Sequence, residues 1–122
     1  MKIKRVYTGQ GGETHLGEVE LPSDTSRPGS EMSKPMPATQ IEISIGTQGR
    51  SPSGDNTYKW HNPPKRLLAI TLQGTHEVEV SDGSKHLCEP GDLLIFEDTT
   101  GKGHISRMIT DPPHKIVFVM LE

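Results

Sequence analysis

Two segments decide the fold: Trp60-His61-Asn62-Pro63-Pro64-Lys65-Arg66-Leu67-Leu68-Ala69-Ile70-Thr71-Leu72-Gln73-Gly74, and, beyond a hairpin, Pro90-Gly91-Asp92-Leu93-Leu94-Ile95-Phe96-Glu97-Asp98-Thr99-Thr100-Gly101-Lys102-Gly103-His104. Leu67 to Leu72 is largely apolar on both period-two faces. Such a strand must be covered twice, by a barrel interior on one side and by another segment or a second subunit on the other. Gly74 ends it. His76 to Val80 alternates, Asp82-Gly83 is a hairpin turn, and Lys85 to Cys88 returns. Glu89-Pro90-Gly91-Asp92 then turns tightly into Leu93 to Phe96. His104 to Met108 and His114 to Leu121 supply the last two strands, separated by Asp111-Pro112-Pro113.

Working back towards the amino terminus, Ile3 to Tyr7 reads as a short strand, Gly9 to Gly12 as a turn, and His15 to Leu21 as a second strand. Residues 22–39 are rich in Ser, Pro, Asp and Met, show no period, and exceed the usual length of a connection. They are expected to form an irregular arm or lid, with a plain surface loop as the alternative. Ile41-Glu42-Ile43-Ser44-Ile45 is the cleanest alternating strand, and Gln48 to Asn56 reads as a loop. About eight to ten short strands without a convincing helix predict a single all-β domain over 1–122, a barrel or jelly roll.

Composition narrows the function classes. A chain of 122 residues suits one core, and ten Pro with thirteen Gly fit many turns. A formal charge of −3 offers no basic face, which argues against nucleic acid and anionic lipid as partners. No apolar run reaches membrane-spanning length, and Met1-Lys2-Ile3-Lys4-Arg5 is not followed by the apolar core of a signal peptide, so the cytoplasm is the expected compartment. Cys88 is the one cysteine, expected to be a small buried residue.

The order of His61, a strand ending in Gly74, a hairpin, Pro90-Gly91-Asp92, and His104 on the next strand resembles the two-motif core of the cupins, which are small jelly-roll barrels. Trp-His-x-x-Pro-x-Arg from Trp60 and Glu-Asp-Thr-Thr-Gly-Lys-Gly-His from Glu97 resemble a subgroup of small single-domain cupins, and Gly12-Glu13-Thr14-His15 approximates an amino-terminal element of that subgroup. The resemblance implies a cupin-type jelly roll. In metal-binding cupins a His-x-His, a Glu and a third His are the ligands. Here the four positions carry His61, Pro63, Leu67 and His104, so half of the set remains. Glu97 or Asp98 as a carboxylate, or His15 as a third imidazole, would be needed to hold a divalent metal.

The chemistry left to the pocket is acid–base. Imidazole ordinarily exchanges protons near neutral pH, which makes His61 and His104 the candidate catalytic groups, with Glu97 or Asp98 orienting one of them or acting as a base. Arg66 is a candidate clamp for a substrate carboxylate, and Trp60 for an apolar wall. The second motif is longer than the usual cupin pattern by part of Thr99-Thr100-Gly101-Lys102-Gly103, where Lys102 and two glycine amides are candidates to hold an anion. His76, His86 and His114 read as surface residues. The leading expectation is an isomerase, lyase or cyclase acting on a small molecule, in a homodimer joined through apolar strand faces. A metal-dependent oxygenase or isomerase and a non-catalytic ligand-binding module are the alternatives.

Overall fold

Period-two runs become eleven strands among residues 1–47 and 59–122, the part of the chain that the computed structural model describes. The loop expected over Gln48 to Asn56 lies outside those residues. β1 (Lys2–Thr8) and β2 (Thr14–Glu20) form a hairpin across a 3-10 turn at Gln10–Gly12. Within 22–39, β3 (Ser23–Asp24) and β4 (Met32–Ser33) pair as a two-residue ribbon. There follow β5 (Ala38–Gly46), β6 (Leu67–Gln73), β7 (His76–Val80), β8 (Lys85–Cys88), β9 (Leu93–Phe96), β10 (His104–Met108) and β11 (His114–Leu121).

The larger sheet runs β2-β1-β9-β6-β11-β5 and the smaller β10-β7-β8. From β6 onward the chain keeps changing sheet: β6 is in the larger, β7 and β8 in the smaller, β9 in the larger, β10 in the smaller, β11 in the larger. This exchange folds one sheet over the other, so the inward residues of both meet in a shared core. The fold is all-β, two sheets packed face to face with the chain crossing between them, as in a jelly roll. Among the described residues no helix is long and apolar enough to cross a membrane.

Alternation decides which residues enter the core. Leu67 and Ala69 of β6, Val78 and Val80 of β7, Leu94 and Phe96 of β9, and Ile116 and Met120 of β11 are buried together with Val6 and Cys88. Burial pushes the Cys88 thiol up to about 12, which removes it as a nucleophile near neutral pH. The opposite phase of the larger sheet faces outward. There the three isoleucines of β5 lie in the open, Ile43 being 73% exposed, and Leu72 and Leu93 are exposed too. The apolar face of β5 is thus its outer one, while Glu42 and Ser44 turn inward.

Leu94 is 2% exposed and its loss would leave a cavity between the sheets, whereas Leu87 is 49% exposed. Leu94→Ala should lower unfolding free energy by about 2–5 kcal/mol, and Leu87→Ala by less than about 1 kcal/mol. Urea unfolding followed by tryptophan fluorescence checks the contrast.

Candidate functional site

His61 precedes β6 in a segment that forms no regular strand, yet it is held as if it were one more strand of the smaller sheet. His61 N–H donates to the His104 carbonyl and His104 N–H to the His61 carbonyl, both at 3.0 Å, in an antiparallel bridge at the edge of β10. Residues directly opposite in such a pair project to the same face. Both side chains therefore border the cavity, the His104 ring buried and His61 exposed, with ring centroids 4.5 Å apart. Gly103 makes the approach possible. Its φ of +75° suits glycine, and a Cβ there would collide with the His61 carbonyl oxygen.

Asp98 is fully buried, and its Oδ2 lies 2.6 Å from Nδ1 of His104, itself 4% exposed. The carboxylate accepts the Nδ1 proton and fixes the tautomer, which leaves Nε2 as the ring's lone-pair nitrogen. Its other oxygen, Oδ1, is buried without a partner among the described residues, so His104 is the group that Asp98 serves. His61 donates from Nδ1 to the Lys59 carbonyl at 2.9 Å, so its Nε2 is an acceptor as well. Phe96 stacks against His104 at a centroid distance of 4.4 Å. The cavity beyond encloses about 310 Å³ and is walled mainly by Pro63, Leu67, Phe96, Met108, Phe118 and Met120.

The remaining sequence candidates lie elsewhere. Glu97 follows the outward phase of Leu93 and Ile95 and is bound by Arg66 Nε at 2.8 Å and Arg5 Nη1 at 3.2 Å. Alternation thus separates adjacent carboxylates: Asp98 keeps the phase of Leu94 and Phe96 and reaches the interior, while Glu97 and Arg66 neutralise each other outside the cavity. Lys102 donates Nζ to Glu13 Oε2 at 2.8 Å. Its backbone N–H goes to the Gly12 carbonyl, Thr8 Oγ1 donates to the Thr100 carbonyl, and Thr14 Oγ1 to the Gly103 carbonyl. The Thr99–Gly103 insertion is stitched to the β1–β2 hairpin and carries Asp98 and His104 at its ends. Asn62 adds a strap, donating Nδ2 to the carbonyls of Asp98 and Gly101. Trp60 is 46% exposed and does not line the cavity. His15 is bonded through Nδ1 to Asp82 at 2.8 Å.

The surface reading of His76 and His114 is corrected. His76 is 5% exposed and His114 1%, because each is in phase with an inward run: His76 with Val78 and Val80, His114 with Ile116. That phase was the available signal. His76 also lines the cavity. His86 is half-buried. His114 is held by Thr110 at 3.1 Å and fills the space above Gly74, where a side chain would strike its ring.

Among the described residues the donors do not form a metal site. Pro63 and Leu67, at the positions expected for a second histidine and a glutamate, put hydrocarbon into the cavity wall. Among the described residues no group of three His, Cys, Asp or Glu side chains is placed to hold a metal. His15 is engaged by Asp82 and Glu97 by two arginines, so neither of them completes the His61–His104 pair.

No family model and no curated protein matches the chain. A solved structure from Salmonella typhimurium LT2, assigned provisionally as ethanolamine utilization protein Q, is similar over 99% of this chain and 95% of its own, with 14% identity and a TM-score of 0.39. A likeness this slight adds nothing to what the strand order shows.

Burial pushes the His76 imidazole down from 6.5 to about 4, with the neighbouring His114 adding to the effect. The unfolded chain then binds a proton that the folded chain refuses between those values, so stability falls as pH drops from about 6.5 towards 4. The loss should be on the order of 1–3 kcal/mol. Unfolding of the wild type and His76→Leu across that range checks it: the variant should lose this part of the slope.

Proposed function

We propose that the chain is a small-molecule enzyme of isomerase, lyase or cyclase type that moves protons within the jelly-roll cavity. The observation that supports this best is the buried Asp98–His104 pair opening onto an apolar cavity. A carboxylate that fixes the Nδ1–H tautomer leaves Nε2 to take a proton from a bound molecule, and then stabilises the imidazolium that forms. His61 stands one ring away with its own Nε2 free of the Lys59 bond. Two cationic rings at that separation repel one another, so the pair suits a single mobile proton. One ring carries that proton and the other is free; the free ring takes a proton from one atom of the substrate as the protonated ring gives its own to a second atom, so the pair holds one proton before and after.

On a converted substrate, His104→Gln should lower kcat/KM by about 10²–10⁴-fold. Asp98→Asn should cost a comparable factor, because the amide no longer fixes the tautomer. Arg66→Ala, outside the cavity, should change it little. Full turnover by both His61→Gln and His104→Gln would refute the assignment of the proton transfer to these two rings.

A homodimer belongs to the same proposal. Ile43 pairs with Val117, which pairs with Ile70, and Ile41 with Val119, which pairs with Leu68. The outer face of β5, β11 and β6 is thereby a continuous apolar band with an uncharged centre, which a second copy related by a two-fold axis would match. Sedimentation should show a dimer for the wild type and a monomer for Ile43→Glu. A monomeric wild type at micromolar concentration would remove the dimer and leave the cavity chemistry untouched.

A further inference from the structure

Proton transfer at His61 and His104 leaves the far end of the cavity without a role. Along β10, His104 pairs with Val80, Ser106 with Val78 and Met108 with His76. His76 therefore stands four residues along the strand from the His104 level, roughly 13 Å of chain. The facing sheet shows the same offset. Leu67 pairs with Phe96, the residue stacked on His104, whereas Ser44 pairs with Ile116, which pairs with Thr71 four positions along β6. His76 and Ser44, one from each sheet, thus line the same cavity at the end away from His61 and His104.

Three of the buried or cavity-lining histidines have named partners: His61 the Lys59 carbonyl, His104 Asp98, and His114 Thr110. The His76 ring has no hydrogen-bond partner among the described residues, although it is 95% buried and borders the cavity. Its ring nitrogens are not among the sealed, unpartnered polar atoms, so they are open to the cavity, where a bound group can pair with them. Between the two ends the walls are Phe96, Met108, Phe118 and Met120. Among the described lining residues Glu42, at the exposed rim of β5, is the one that carries a formal charge. A carboxylate drawn inside would meet imidazoles and hydrocarbon, with Arg66 and Lys102 both engaged outside.

We infer that His76, with the Ser44 hydroxyl on the facing sheet, is a second polar pole that binds the far end of the ligand. The ligand class is then an uncharged, elongated molecule with an apolar body and a hydrogen-bonding group, hydroxyl or carbonyl, at each end. This rests on the proposed function for the near end, where His104 meets the group that exchanges a proton. The neutral form of His76, which its burial enforces near pH 7, both donates and accepts, so either end group is satisfied.

Octane-1,8-diol, octan-1-ol and octanoate, titrated calorimetrically at pH 7.5, separate the two poles. The diol should bind about tenfold more tightly than octanol through the one added hydrogen bond to a buried partner, and octanoate should bind most weakly. His76→Leu should bring the diol down to the affinity of octanol without changing octanol itself. His76→Gln, which keeps a donor and an acceptor, should restore most of the difference and serves if the leucine variant folds poorly. A diol advantage that persists in both variants, or octanoate binding as tightly as the diol, overturns the second pole. Octanol binding unchanged by His104→Leu, which removes the hydrogen-bonding group, would instead remove the near pole, and with it the proton-transfer reading, whatever His76 does. If none of the three probes binds the wild-type chain, the ligand class is wrong.

Discussion

The two backbone hydrogen bonds that join His61 to His104 are the constraint on which the site depends. They recruit an otherwise irregular segment as an extra edge of the smaller sheet and set two imidazoles side by side on its inner face. Gly103 permits the approach, and Asn62, next to His61, secures the loop that brings Asp98 under the His104 ring. Remove the bridge and the jelly roll still has its nine-strand framework of two sheets, but the histidines no longer share a proton path. The fold and the chemistry therefore rest on different bonds. The sandwich is held by inward apolar residues from many strands, and the site by a few directional contacts around one glycine.

Period two carried most of what was legible. Every strand from β5 to β11 was readable from alternation and turn residues, since one buried face forces that pattern. The same rule, pressed harder, separates Asp98 from Glu97 and Leu67 from Arg66, because neighbours on a strand point to opposite sides. It also places His76 and His114 inside. Their reading as surface residues came from weighing histidine as a type instead of following its phase with Val78, Val80 and Ile116. What no pattern supplied was the partner of each group. The His61–His104 bridge, the capture of Glu97 by Arg5 and Arg66, and the seating of Lys102 on Glu13 join residues 43, 92, 31 and 89 positions apart, and one sequence holds no record of such pairings.

The charged residues that looked like substrate clamps are instead structural fastenings. Glu97 sits between two guanidiniums, one on β1 and one just before β6, and Lys102 sits on Glu13 at the hairpin turn. Their half-exposed pairs add little stability individually. Their geometry matters more, since each ties the amino-terminal hairpin to the second motif. Apart from the buried Asp98 carboxylate that serves His104, the interior is left to neutral donors and hydrocarbon, where an unpaired charge is penalised.

The join between β1 and β9 is parallel and spans three register pairs, Lys4 with Leu94, Arg5 with Ile95 and Val6 with Phe96. Outside it, β2 is one of the two edge strands of the larger sheet among the described residues. The hairpin is thus a buttress at the side of the larger sheet, and its tip grips the loop between Asp98 and His104 through Thr8, Gly12, Glu13 and Thr14. A strand docking along β2 would push on a lever whose other end is the imidazole pair. Mechanical play in a region remote from the cavity would be felt there as a change in aim.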